Sequence, residues 1–264
     1  MNDLSISAPQ SASSNKMYEP LAADAESGSG MHVERLPFTI RQVTSAEDLA
    51  KAVHLRHLAY ARHLPLFAEA LRSPETDDTD DAAIVLLAES KLDGSPLGTV
   101  RIQTNLVNPL NMEQSIDLPN WLQGKSMAEV RRLAVAPGTP GRLVKMVLLK
   151  AVYQYCAQNQ LDWIMVAARR PLDRTYEQLT LEDILDGKTF IPLPRANNVP
   201  HRVLGLETVT FHARLTRTKH PLLNFFFYTQ HLDIDASCMV PRSAANMVLR
   251  GNRLANIREN SPVR

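Results

Sequence analysis

A mixed α/β fold, with a central sheet flanked by helices, is what this 264-residue sequence predicts, on three observations. Residues 132–136 form a short strand-like run stopped by Pro137-Gly138-Thr139-Pro140-Gly141. Beyond that turn Leu143, Val144, Met146, Val147, Leu148, Ala151, Val152 and Tyr155 recur at the three- and four-residue spacing of one apolar helix face. Ala83-Ile84-Val85-Leu86-Leu87-Ala88 and Leu97-Gly98-Thr99-Val100-Arg101-Ile102 are two strand-like runs around Asp93-Gly94-Ser95-Pro96, the pattern of a hairpin. A hydrophobic fraction of 44% and a net charge of +1 suit one medium-sized soluble domain with a real core.

The same composition narrows the function classes. Near-neutral charge argues against nucleic acid as a partner. No apolar run approaches the ~20 residues of a membrane helix. Met1-Asn2-Asp3 lacks the basic start of a signal peptide, so no integral membrane segment is expected. Cys156 and Cys238, without CxxC spacing, are too few for a disulfide framework and point to a reducing cytoplasm. Residues 1–35, rich in Ser, Ala, Gly and Asn, are expected to be a mobile tail, residues 36–235 the domain, and residues 236–264 a tail or docking helix.

In chain order, Phe38-Thr39-Ile40-Arg41-Gln42-Val43 alternates as a first strand. Thr44 and Ser45 then offer capping hydroxyls to a helix carrying Ala52, Val53, Leu55, Leu58 and Ala59. On that helix Arg56 and Tyr60 stand one turn apart and share a face. His54 and His57 lack a third ligand, so no metal site is expected. Residues 75–81 hold five acids, a run that usually marks a solvated loop, and lead into the buried-strand pattern at Ala83. Residues 103–127, with Pro109, Pro119, Trp121 and Gly124, read as a long connection with one helical turn. Leu161-Asp162-Trp163-Ile164-Met165-Val166-Ala167-Ala168 reads as a strand, and Pro171 opens a helix carrying Leu172, Tyr176 and Leu179. Val203-Leu204-Gly205-Leu206, Val209-Thr210-Phe211-His212 and Pro221-Leu222-Leu223-Asn224-Phe225-Phe226-Phe227-Tyr228 read as the last strands of the sheet. Their aromatic surplus is either core or the lining of a tunnel for a fatty acyl chain.

Glu129, Arg131 and Arg132 stand in a strand that should be buried, where a charge is costly unless paired or used. Glu129-Val130-Arg131-Arg132-Leu133-Ala134-Val135 resembles the ExxR[FL]xV strand of acyl-homoserine-lactone synthases and of the related N-acyl amino acid synthases, branches of the GNAT N-acyltransferase fold. Leu55-Arg56-His57-Leu58-Ala59-Tyr60 resembles their LRxxxY helix and Gly98-Thr99-Val100-Arg101-Ile102 their G[TC]xR[LI] strand. The acidic run resembles the DxxDxxAxxLLA segment of the N-acyl amino acid synthases, with Asp77 and Asp80 in register or, one residue on, Asp78 and Asp81. The resemblance implies a GNAT-like mixed, mostly antiparallel sheet, with Arg56, Tyr60, Asp77, Asp80, Arg101 and Arg132 at the substrate site.

Acetyl-CoA-dependent GNAT members follow this strand with a V-x-P-x-x-[RQ]-G-x-[GA] pyrophosphate loop. Val135, Pro137 and Gly141 are in register, but Pro140 and Leu143 replace the Arg/Gln and the second small residue. A loop offering Gly138, Gly141 and Arg142 suits the single phosphate of phosphopantetheine better. The resemblance thus implies acyl carrier protein as donor and partner, acyl-CoA as the other donor, a small-molecule amine as acceptor, and no permanently held cofactor.

Such chemistry joins a thioester carbonyl to an amine. The amine must lose a proton, for which Glu129 is the candidate acceptor. Backbone N–H groups of Leu133, Ala134 and Val135 are candidates to stabilise the oxyanion. Tyr176, whose Tyr176-Glu177-Gln178-Leu179 resembles the first half of the GNAT YxxLGF helix, is the candidate proton donor to the departing thiolate. The expectation is an N-acyl amino acid synthase. The alternatives are an acyl-homoserine-lactone synthase, a CoA-dependent acetyltransferase, and a catalytically silent GNAT-like binding domain.

Overall fold

The computed structural model describes residues 31–138, 141–235 and 239. In chain order they form β1 (His32–Glu34), β2 (Phe38–Gln42), α1 (Ala46–Ala61), α2 (Pro65–Glu69), β3 (Ala83–Ser90), β4 (Pro96–Thr104), α3 (Asn111–Ser115), β5 (Met127–Val135) and α4 (Gly141–Gln158). There follow β6 (Trp163–Ala168), α5 (Leu172–Gln178), β7 (Glu182–Asp183), β8 (Ile191–Pro192), β9 (Pro200–Glu207), α6 (Phe211–Arg217) and β10 (Thr229–His231). Eight strands make one sheet in the order β2-β3-β4-β5-β6-β9-β7, with β8 also on β9, while β1 and β10 form a separate parallel pair. Within the large sheet only β5 and β6 run parallel, so it is mixed and mostly antiparallel, as the sequence predicts.

The periodicities explain this arrangement. Ser45 caps α1 by accepting the Asp48 N–H at 3.1 Å. Both faces of β3 are covered, which is why it is a continuous apolar run. Ile84, Leu86 and Ala88 join the core under α4, and Val85 and Leu87 that under α1. Helix α4 buries Val144, Val147, Leu148, Ala151, Val152 and Tyr155 on one stripe. It comes close to β4 because residue 98 has no side chain: a Cβ on Gly98 would stand 2.5 Å from Val144 Cγ1 and 2.9 Å from Leu148 Cδ1.

Two irregularities position the site. Strands β5 and β6 pair only from Met127↔Trp163 to Val130↔Val166 and then part, although β5 continues to Val135 and β6 to Ala168. On the other edge of β5 the register jumps from Thr99↔Ala134 to Arg101↔Arg131, so Arg132 and Leu133 together face Val100. This is a β-bulge, and Arg132 in it takes a left-handed backbone with φ 54°.

The structure corrects several expectations. The first strand begins at His32, inside the stretch read as a tail, and β1 pairs with β10. Residues 209–212 are not a strand: a 3-10 turn over Thr208–Thr210 leads into α6. Asn224–Tyr228 is a π-helical turn, leaving only β10 extended. The reason is packing, since Phe211 and Phe226 stack 5.0 Å from each other and around Tyr153 of α4, a cluster that helical spacing satisfies better than a short alternation. Pro171 takes the cap position of α5 rather than its first turn. Most of the expected N-terminal tail, and the C-terminal segment with Cys238, lie outside the described residues.

Candidate active site

Where β5 and β6 part, a cleft of about 330 Å³ opens between them and α1. Its apolar wall includes Leu133, Val135, Leu149, Ala167, Ala168 and Leu172, while Tyr60, Glu129 and Tyr176 supply polar groups. Arg62, Lys145 and Arg169 also line it, as do Arg131, Arg132 and Glu129, whose charges are balanced within an ion cluster, so among the described lining residues the cleft is basic. The aromatic cluster around Phe211 and Phe226 is not part of this lining; of its two readings, core and tunnel, it is core.

The backbone of β5 contributes directly. The Ala136 N–H donates to Leu97 O at 2.9 Å, on the β4 side. Strand alternation therefore turns the N–H of Val135 to the opposite edge, where no strand pairs with it, and that of Ala134 back toward β4. Of the expected oxyanion donors, Val135 is the one presented to the cleft. Ala134 is not, and Leu133 lies within the bulge.

Glu129 is buried, accepts the Met112 N–H at 3.0 Å and lies 3.4 Å from Arg131 Nε. Burial pushes its carboxyl above the usual carboxylate range, against the pull of Arg131. A carboxylate with raised proton affinity in a dry wall suits a proton acceptor. Burial likewise lowers Arg131 and raises Tyr176, which keeps the phenol protonated.

An eight-membered ion cluster of zero net charge runs from the cleft wall inward: Glu129, Arg131 and Arg132 line the cleft, and Arg56, Arg101, Glu75, Asp77 and Asp78 stand behind them. Arg56 Nη1 reaches both Asp78 oxygens at 2.9 Å, and Arg101 Nη1 reaches Asp78 Oδ1 at 2.9 Å. Asp77 accepts from Arg131 at 3.0 Å, Arg101 at 3.1 Å and Asn111 at 2.9 Å. Arg132 grips Glu75 with Nε at 2.7 Å and Nη2 at 2.6 Å and stacks 5.1 Å from the Phe67 ring. Burial pushes Glu75 up, but Arg132, with Arg101 and Arg56, outweighs it and holds the carboxyl at about 2.

Of the residues singled out in the sequence, Tyr60, Glu129, Arg132 and Tyr176 line the cleft, with Tyr60 stacked 5.7 Å from Phe67. Arg56 and Arg101, at 1% and 0% exposure, do not: they lie beneath it, pairing with acids. Asp80 is outside the cluster, its carboxylate accepting the Ala82 N–H at 2.7 Å. Neither weighed register survives, because the engaged acids are Glu75, Asp77 and Asp78. Gly138, Gly141 and Arg142 stand outside the cleft lining, and the Gly141 N–H is turned inward to Gly138 O at 3.3 Å. Sequence reasoning did not single out Glu75 or Asn111, held Asp78 only in the shifted register with Asp81, and named Arg131 only as a buried charge in need of a partner; an ExxD spacing at 75 and 78, with basic residues in neighbouring strands, was the available signal. Cys156 is core, its thiol pushed up by complete burial.

Comparison with known proteins bears on this site. The family described as N-acyl amino acid synthase FeeM matches residues 51–203. No curated protein matches. Among solved structures, FeeM, an N-acyl amino acid synthase from uncultured soil microbes, is similar with a TM-score of 0.53 and 16% identity, covering 69% of this chain and 96% of that one. The CoA-dependent acyl-homoserine lactone synthase BjaI, with SAM and isopentyl-CoA, is similar with a TM-score of 0.51 and 14% identity, covering 80% and 99%. At such identities the two likenesses speak to the fold. The family match covers more than half of the chain and every residue that lines the cleft, from Ala59 to His201, so the chain belongs to the N-acyl amino acid synthase FeeM family, GNAT-fold N-acyltransferases.

Proposed function

We propose that the chain moves a fatty acyl group from the thioester of an acyl carrier protein to the amino group of an amino acid. One observation carries the reading: buried Glu129 and the outward Val135 N–H share a basic cleft with an apolar wall. The apolar wall suits the acyl chain. The cations Arg62, Lys145 and Arg169 suit the phosphate of the phosphopantetheine arm and the carboxylate of the acceptor. A sulfonium acceptor would meet like charge there, which favours the amino acid over a lactone-forming substrate. The reaction belongs in the cytoplasm, where such carriers charge; among the described residues no helix is long and apolar enough to cross a membrane.

In this mechanism the acceptor nitrogen, freed of a proton by Glu129, attacks the thioester carbonyl and forms the C–N bond. The negative charge gathering on the carbonyl oxygen falls to the Val135 N–H, a donor type worth about 3–4 kcal/mol. Collapse breaks the C–S bond, and Tyr176 gives its proton to the thiolate. Glu129 then holds the proton that the phenolate recovers. No covalent enzyme intermediate is needed.

The test is free-thiol release from a long-chain acyl carrier protein, and separately from acyl-CoA, in the presence of pooled amino acids, with products read by mass spectrometry. Amine-dependent thiol release from the carrier with an acyl-amine mass supports the proposal and names the acceptor. Preference for acyl-CoA moves the donor assignment, and silence with both donors sinks the reading.

A further inference from the structure

The structure assigns to Glu75 and Arg132 a role apart from substrate binding: we propose that they form a lock that holds the β5 bulge and so aims the Val135 N–H into the cleft. Arg132 has φ 54°, a conformation in which a side chain crowds its own backbone and which glycine adopts freely. A non-glycine residue stays there only when its surroundings over-determine it. Here they do. The guanidinium spends two of its donors on Glu75 at 2.7 and 2.6 Å, lies over the Phe67 ring at 5.1 Å, and its side chain is 7% exposed. Glu75 comes from the turn before β3, Phe67 from α2, and Tyr60, whose hydroxyl also bonds the guanidinium, from α1, so three separate segments grip one side chain.

The consequence reaches the site through the backbone. The bulge places two residues of β5 opposite Val100 alone. If Arg132 relaxed to an extended conformation, the extra residue would be taken up elsewhere and the alternation beyond it would shift by one. That would turn Val135 N–H toward β4 and away from the cleft. Arg132 is therefore a positioning residue, acting through the Val135 amide.

Two substitutions separate backbone from guanidinium, since Arg132→Gly and Arg132→Ala both delete the side-chain contacts and differ only in their ease with positive φ. In an ordinary strand position glycine is the less stable of the two. Here the full-length Gly variant should unfold about 2–4 °C above the Ala variant. Its kcat for thiol release from a decanoyl-loaded carrier protein with pooled amino acids should exceed that of the Ala variant about tenfold, with KM values alike. Glu75→Gln, which loosens the grip, should lower kcat in the wild-type background and add little in the Gly background. An Ala variant as stable as the Gly variant overturns the lock. So does an equal rise in acceptor KM in both variants at unchanged kcat, which would make the guanidinium a substrate ligand. The kinetic arm rests on the acyl transfer proposed above. If wild type releases no thiol, that reading fails while the order of melting temperatures still decides the lock.

Discussion

Replacing Asp78 by Asn should be among the most damaging single changes outside the apolar core. Its carboxylate is fully buried between the Arg56 and Arg101 side chains, which are 1% and 0% exposed, and it accepts three contacts of 2.9 Å from them. It also accepts the Glu75 N–H at 2.9 Å, which closes the turn. Asparagine keeps the shape and can keep that backbone bond, but it removes the carboxylate charge that the two buried cations share, leaving Arg56 with Glu75 at 3.4 Å and Arg101 with Glu75 at 3.2 Å and Asp77 at 3.1 Å. Removing one partner of a buried ion pair costs about 3–5 kcal/mol. At about 2–4 °C per kcal/mol for a domain of this size, the melting temperature should fall by about 6–20 °C. The assay is thermal unfolding by circular dichroism at pH 7, with Asp80→Asn as control. Asp80 caps a single amide, at Ala82, and should cost no more than about 1 kcal/mol. The pH dependence follows. Burial raises the Asp78 carboxyl, but Arg56 and Arg101 outweigh it and hold it below the usual aspartate value. Its stabilisation is therefore full above about pH 4 and is lost as pH falls through the lowered folded value, so wild type and variant converge in acid. An Asp80→Asn protein less stable than Asp78→Asn would refute both the loop register and the account of what holds it.

Glu129→Gln should lower kcat by about 10²-fold or more. Because burial raises the Glu129 carboxyl, its ionisation in the fold destabilises as pH rises, so the variant's melting temperature should gain on wild type as pH rises above about 4 and through the raised folded value. Tyr176→Phe should reduce kcat about 10²-fold with KM unchanged, read by thiol release; an unchanged kcat would make Tyr176 a packing residue. Gly98→Ala should cost about 1–3 kcal/mol in thermal unfolding, because the new methyl meets Val144 and Leu148 of α4. Lys150→Met removes the donor to the carbonyls of Phe225 and Thr229 and the partner of His231 Nδ1, at about 1–3 kcal/mol per group left unsatisfied, and should raise hydrogen exchange across residues 225–231.

The fold was legible wherever a period ran long enough to separate helix from strand. Helix α4 offers eight apolar positions at helical spacing, six of which it buries on one stripe, and β3 and β4 offer six-residue runs around a Gly/Pro turn. Residues 209–212 offered only two cycles of alternation, and the aromatic run at 225–228 has no period at all. There tertiary packing on Tyr153 decided, and it chose helical turns. Strand β1 was hidden for another reason. His32-Val33-Glu34 is wholly exposed, so its pairing with β10 leaves no hydrophobic signature, and the contacts that fix it are the Glu34 to His231 pair and the Asp233 carboxylate on the Leu36 N–H.

The candidate site shows how a charge pattern can mislead about location while remaining informative about chemistry. Five acids in seven residues usually mean a solvated loop. Three of these acids, Glu75, Asp77 and Asp78, instead meet four arginines, of which Arg56 comes from α1, Arg101 from β4, and Arg131 and Arg132 from β5. The choice among the acids is geometric. Thr76–Asp78 is a 3-10 turn, in which residues three apart eclipse, so Glu75 and Asp78 point to the same side and reach the arginines together. Asp80 falls beyond the turn and faces the start of β3 instead. A spacing of three was thus the right signal read two residues too late. The error matters for function because the acid at the head of that spacing, Glu75, is the one that grips Arg132 at the bulge. In the proposed mechanism the acidic run therefore bears on acyl transfer by fixing the backbone of β5, while Glu129, Val135 and Tyr176 line the cleft.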